Sequence, residues 1–264
     1  MESLKKTMLL VPIGGLANRI FAIRAAISFC ADYHLKLKIL WFKDWGMAAT
    51  FEELFSVRKE AGEVEIIDAK WWHYFLDRPR KRTLWLPWFY QRITFDACFY
   101  EKDLYGQSSF MDWYGQHMSC RSLYVVQCMK FYQADRTFFR YLLPAKNIRE
   151  EIALQVAGFS CHTIGVHIRR TDFLQAIKES PLCLFMAKMK EVMEKDNAVR
   201  FYLATDSMEV KEDLLKTIGG GGLSLVAHLC EGILGRVSLK RWWISTRWGL
   251  RLRFSDRPAV PIPS

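Results

Sequence analysis

An α/β fold with parallel sheets is what this 264-residue chain predicts, and three stretches predict it. The first is an apolar run, residues 8–13, which stops at Gly14-Gly15 and gives way to a helical pattern and a second apolar run. The second is a β-branched run, 163–168, which breaks off into Arg169-Arg170. The third is the run 199–203, which ends in Ala204-Thr205-Asp206-Ser207 ahead of another helical pattern. Short strands punctuated this way and alternating with helices are the rhythm of βαβ units.

The elements follow in order. Residues 8–13 form a buried strand, since the run is too short and wrongly flanked to be a secretory signal. After Leu16-Ala17-Asn18-Arg19, residues 20–33 carry apolar side chains at 20, 21, 23, 27 and 30, a helical spacing. Residues 35–41 return to strand. Gly14 and Gly15 let backbone N–H groups approach a ligand at the helix N-terminus, although the spacing is not the G-x-G-x-x-G of dinucleotide-binding turns. Residues 51–55 form a short helix and 64–67 a strand. Residues 70–100 gather Trp71-Trp72, Arg78-Pro79-Arg80-Lys81-Arg82 and the aromatic run 85–90. Pro79 and Pro87 argue against one continuous helix there. The segment fits either an acceptor-binding or membrane-surface patch, or an irregular subdomain whose aromatics pack together. Residues 124–142 are helical or mixed. Pro144 and Lys146-Asn147 mark a boundary, 148–156 is a helix, and 163–168 is the next strand. The stretch 180–195 has Met and Leu inside and Lys and Glu outside, a helix. Residues 199–203 are a strand, and Ser207 caps the helix after it, with Glu209 and Glu212 in its first turns.

Composition narrows the class. The chain is 51% hydrophobic and 14% aromatic, which makes it globular rather than disordered. No apolar run approaches the roughly 18–20 residues of a spanning helix. Seven cysteines stand apart without a C-x-x-C pair, so reduced thiols in the cytoplasm are expected rather than a disulfide framework or a zinc site. A net charge of +10 calls for an anionic partner: a nucleotide, a nucleic acid or a membrane surface. Residues 216–264 hold eight Lys and Arg against Glu231 and Asp256, a net +6, leaving +4 for the first 215.

The chemistry concentrates where the strands end. A strand that delivers paired guanidinium groups at its carboxyl end is suited to gripping a diphosphate. Arginine offers a planar fork of donors and stays charged at any working pH. The alternative is a strand end carrying ordinary solvated arginines. Asp206 likewise follows a strand and lies near the crevice where α/β sheets bind ligands, unless it is a simple turn aspartate.

Together the turn at 14–19, His167-Ile168-Arg169-Arg170-Thr171-Asp172 and Tyr202-Leu203-Ala204-Thr205-Asp206-Ser207 resemble the GDP-fucose-dependent fucosyltransferases, the superfamily with α1,2-, α1,6- and protein O-fucosyltransferase branches. The likeness is strongest to bacterial members from polysaccharide loci and covers roughly residues 7–217. It implies a GT-B-like arrangement: two Rossmann-like domains with parallel sheets facing a cleft, the second incomplete here. An N-terminal, acceptor-side domain would span 1–145, with the aromatic and basic insertion at 70–100. A partial nucleotide-sugar domain would span 146–218, and a basic tail 219–264. The implied reaction moves fucose from GDP-fucose to a glycan acceptor with inversion and without a metal or other cofactor. Arg169 would bind the β-phosphate and stabilise the leaving GDP as the catalytic residue. His167 and Arg170 would hold the nucleotide and the strand end, and Asp172 would orient the arginines. Asp206 would lie near the guanosine. Gly14, Gly15, Asn18 and Arg19 would face the cleft from the first domain. The implied location is cytoplasmic, peripheral to the inner face of the membrane.

The resemblance stops near Ile218, at Gly219-Gly220-Gly221-Gly222. Residues 243–249, re-read two bases along, permit Val-Asp-Phe-Tyr-Ala-Leu-Gly, which is closer to the family. A frameshifted, truncated and inactive transferase is therefore one expectation for the tail. Two other readings stand beside transfer: a non-catalytic remnant, and a basic nucleic-acid-binding protein.

Overall fold

The structure, a computed structural model, describes residues 6–43, 47–74, 88–104, 109–133, 141–168, 170, 174–205, 207–219 and 226–227. It divides into two compact units, Met1–Arg149 and Glu150–Ser264.

The first unit is built on five parallel strands: β1 (Thr7–Pro12), β2 (Lys36–Trp41), β4 (Val64–Asp68), β5 (Ala97–Tyr100) and β6 (Ser122–Gln127), in the order β4-β2-β1-β6-β5. A separate antiparallel pair joins β3 (Phe55–Val57) to β7 (Leu142–Pro144). β1 lies at the centre, and Met8, Leu10 and Val11 are fully buried because strands flank them on both sides. Helix α1 (Leu16–Asp32) follows β1 and buries 12 of its 17 residues, so its polar face is narrow. Ala22, Ala25 and Ala26 add little bulk and let the helix sit close to the sheet. The helix begins four residues before the apolar periodicity does. Gly15 is its extended N-cap, and the Arg19 N–H closes the first turn on the Gly15 carbonyl at 3.1 Å. The short α2 (Phe51–Leu54) starts in a capping box, with Thr50 and Glu53 satisfying each other's main-chain N–H groups. The helices α3 (Trp88–Thr94), α4 (Glu101–Leu104) and α5 (Phe110–Gln116) also belong to this unit.

Two expectations for this unit need correction. The stretch 124–142, read as helical or mixed, opens with β6, which pairs along its whole length with β1. Leu123-Tyr124-Val125-Val126 is buried on both faces, so it shows no alternation, and a short apolar run does not declare its type by periodicity. Within 70–100, where a binding patch or an irregular subdomain was expected and no strand was, Ala97–Tyr100 is an edge strand on β6.

The second unit holds β8 (Thr163–Ile168) and β9 (Arg200–Thr205), parallel and in register over six residues. β10 (Val226–Ala227) pairs with Tyr202 and Leu203, a third strand where two were expected. Val166, Ile168, Phe201 and Leu203 point to one face and pack with Met189, Val192, Val210, Leu214 and Ile218. Those partners come from α8 (Leu182–Lys195) and α9 (Met208–Ile218), both amphipathic. Helix α6 (Lys146–Ala157) spans the division between the units, and α7 (Leu174–Glu179) precedes α8. No helix among the described residues is long and apolar enough to cross a membrane.

Candidate functional site

In the first unit the chain leaves β1 towards β2 on one side, while β6 flanks β1 on the other. The carboxyl ends of β1 and β6 therefore border the point where the strand order turns back, the place where open α/β sheets hold ligands. Gly14 stands there with φ +83, a left-handed conformation that favours glycine. A Cβ on Gly14 would meet the Asn18 Nδ2 at 3.2 Å and the Cys128 Cβ at 3.6 Å, so the turn is tight against both. Gly15 gives α1 no side-chain cap, which leaves first-turn N–H groups and the positive end of the helix dipole at this edge. Gly14 is exposed and Asn18 half-buried.

Arg19 is placed differently from the expectation that it faces the cleft. Its side chain is fully buried. Nε donates to the Gly14 carbonyl at 2.9 Å, Nη1 donates to the Phe42 carbonyl at 2.6 Å, and the guanidinium lies 4.7 Å from the centre of the Trp41 ring. It ties the glycine turn to the exit of β2 through two main-chain carbonyls.

Gln127 was not anticipated. It is the last residue of β6, it pairs with Pro12, and its carbonyl accepts from the Ile13 N–H at 3.0 Å. Its side chain is fully buried, and neither amide atom has a hydrogen-bond partner among the described residues. A buried amide without partners is costly, and such groups usually have a functional or solvent-mediated reason. The signal was a polar residue closing an apolar run, hidden once that run had been read as helical or mixed. The next residue, Cys128, donates its thiol to Glu101 at 2.7 Å. Burial, with the Glu101 carboxylate adding to it, pushes that thiol up to about 12, so Cys128 stays protonated and is no nucleophile.

In the second unit, Ile168 and Thr205 are register partners at the carboxyl ends of β8 and β9. The chain therefore enters Arg169 and Asp206 from adjacent positions. Arg169, Asp172 and Asp206 lie outside the described residues. Arg170 is half-buried. Its Nη2 donates to the Ser180 carbonyl at 2.8 Å, and its guanidinium lies 5.8 Å from the Phe185 ring centre. It links the strand end to the start of α8 and does not stand in bulk solvent. His167 is half-buried on the face opposite Val166 and Ile168, in register with Ala204. On that face the Tyr202 hydroxyl donates to Gln155 of α6 at 2.8 Å. After β9, Thr205 Oγ1 accepts from the Ser207 N–H and Ser207 Oγ from the Val210 N–H, each at 3.3 Å, so the residues on either side of 206 are fixed by a capped helix start.

No protein-family model matches the chain, and no curated protein does. Solved structures do. Fucosyltransferase NodZ from Bradyrhizobium aligns with a TM-score of 0.57 over 91% of this chain and 86% of its own, at 17% identity. NodZ α-1,6-fucosyltransferase co-crystallised with GDP aligns at 0.53 over 91% and 85%, also at 17% identity. POFUT1 in complex with GDP-fucose aligns at 0.51 over 84% and 83%, at 12% identity. The class these define is an α/β glycosyltransferase fold of the GT-B type. Within it, the fold of this chain is the one seen in fucosyltransferases that have been crystallised with GDP or GDP-fucose.

Proposed function

We propose that the chain transfers fucose from GDP-fucose to a glycan acceptor, with inversion and without a metal. The observation that carries this reading is the exit of β8 into Arg169-Arg170 beside the exit of β9 into Asp206, in a fold shared with proteins crystallised with that donor. Cleaving the sugar–phosphate bond develops negative charge on the leaving diphosphate, and fixed arginines stabilise such charge as it forms. Arg169 takes this catalytic role. Arg170 and His167 hold the strand end and the nucleotide, Asp172 orients the pair, and Asp206 meets the guanosine. In the first unit Gly14, Gly15 and Asn18 form the ligand-facing turn, and Arg19 serves as its buried anchor. We place the reaction in the cytoplasm, peripheral to a membrane surface.

Calorimetric titration of GDP, GDP-fucose and single-stranded DNA against wild type and Arg169→Ala tests the reading. GDP binding that the substitution weakens a hundredfold or more, about 3 kcal/mol for a charged hydrogen-bonded contact, supports it. GDP binding unaffected by the substitution sinks the assignment of Arg169. Salt-sensitive DNA binding that survives it, with no GDP binding, would instead mark a nucleic-acid-binding protein.

A further inference from the structure

We propose that the first unit carries a second ligand site, a cavity on the sheet face opposite α1 that takes a small amphipathic anion: a flat apolar body with one acidic head. The inference goes beyond the donor reading and does not depend on it.

The cavity measures about 320 Å³ and is bordered by residues of β1, β2 and β4, by His73 and by helix α3. Side-chain alternation along β1 fixes its face. The Cys30 thiol of α1 donates to the Met8 sulfur at 3.8 Å, so α1 covers the side of β1 that carries Met8. Leu9 belongs to the other side, where it packs with Ile67 and Phe95 on the cluster that includes Val11, Leu40 and Val126. Leu9, Leu40, Ile67 and Phe95 give the cavity an apolar floor. Thr7 and Ser122 also line it, and they open β1 and β6. The cavity thus reaches the amino ends of the strands whose carboxyl ends lead to Gly14 and Gln127. The length of β1, six residues at roughly 3.3 Å each, separates that end from the glycine turn.

The polar groups decide the occupant. The Lys38 ammonium, in the cavity wall, lies 3.5 Å from Glu65 Oε2, but the same oxygen is nearer to Lys36, at 3.0 Å. One carboxylate shared by two ammonium groups leaves one positive charge uncompensated. The Lys38 side chain keeps 38% of its surface exposed, so an acidic head placed beside it retains part of its hydration. His73 Nδ1 accepts from the Lys70 N–H at 2.8 Å, which puts the ring proton on Nε2 and makes that atom a donor. No Asp or Glu stands among the described lining residues. A surplus ammonium and an imidazole donor beside an apolar floor suit a ligand whose oxygens and charge lie at one end. The volume falls at the small end of the range for small-molecule sites, about 300–1,000 Å³.

The test uses two fluorescent probes: anilinonaphthalene sulfonate, a flat apolar body with a sulfonate head, and phenylnaphthylamine, the same body without the head. Each is titrated into the full-length chain, with and without excess GDP, and into Lys38→Met and Leu9→Phe. Lys38→Met keeps the stem and removes the charge, whereas Leu9→Phe fills part of the cavity. Melting temperatures are read for both variants, and if Leu9→Phe fails to fold, Lys38→Met decides alone. The sulfonate is expected to bind once per chain, more tightly than the neutral probe, and to resist displacement by GDP. Lys38→Met should weaken it about tenfold, the scale of a charge-assisted hydrogen bond, and leave the neutral probe unchanged. Leu9→Phe should weaken both probes. Absence of sulfonate binding overturns the proposal, as does sulfonate binding that either folded variant leaves unchanged. Displacement by GDP overturns it in favour of the donor site. Equal affinity for the neutral probe, or equal weakening of both probes by Lys38→Met, overturns the selection of an anion.

Discussion

Replacing Arg19 by methionine asks whether that guanidinium builds the glycine turn or waits for an anion. The side chain is fully buried and makes two charge-assisted bonds to main-chain carbonyls, at 2.9 Å to Gly14 and 2.6 Å to Phe42. Each such bond contributes about 1.5–3 kcal/mol, and contact with the Trp41 ring adds about 1 kcal/mol. Methionine keeps most of the stem volume and spares the desolvation of a cation, which offsets part of the loss. The two carbonyls, however, remain in place without their donor. The net cost should be about 3 kcal/mol, or a melting temperature lower by about 10 °C for a unit of this size. Urea unfolding followed by far-ultraviolet circular dichroism reads the stability, and calorimetry well below the transition reads GDP affinity. Lower stability with GDP affinity reduced no more than about tenfold fits an anchor. An unchanged unfolding midpoint with GDP binding abolished would refute the reasoning and return Arg19 to the ligand.

Other outcomes follow from the same geometry. Gly14→Ala forces a side chain into a left-handed conformation against Asn18 and should cost about 1–2 kcal/mol, seen as a drop of several degrees in melting temperature; no drop would mean that the turn is not built as described. Gln127→Leu removes a buried amide that has no partner among the described residues, so it should raise the melting temperature; a fall in stability would show that the amide is satisfied in solution. Asp96 accepts the Arg121 and Ser122 N–H groups at 2.8 and 2.9 Å, and these bonds, the Ser122 N–H foremost, hold its carboxyl below the ordinary range. A lowered native value means stabilisation that is complete above the unfolded value near 4 and is lost as pH falls through the native one. Asp96→Asn should therefore be less stable than wild type at pH 7, with the two unfolding curves converging as pH falls below the native value; a difference that persists in acid would assign the loss to something other than charge.

The parts of this molecule that punctuate strands were legible in the sequence. Gly14-Gly15, the β8 run into Arg169-Arg170 and the Ser207 cap are each written in residue types with one strong local preference, and chain order alone places them at strand ends. What burial decides was not legible. Leu123-Tyr124-Val125-Val126 could not be told from a helix segment, because a strand covered on both faces loses its alternation. With β6 went Gln127, whose interest depends on the strand it closes. Arg19 reads in sequence like any cationic residue beside a glycine turn. Only the positions of the Phe42 carbonyl and the Trp41 ring show that it faces inward. The pairing of Val226–Ala227 on β9 was likewise invisible, since two residues carry no periodicity.

The position of β1 has a consequence for how the protein is made. Its partner on one side arrives early in synthesis, at Lys36, but Thr7 meets Ser122 only 115 residues further along. Until the ribosome has released that later segment, the central ribbon and the mostly apolar α1 have one flank open to solvent. Long-range pairing of this kind is slow and leaves sticky surface uncovered while it waits. Fragments ending before residue 122 should therefore aggregate when expressed alone.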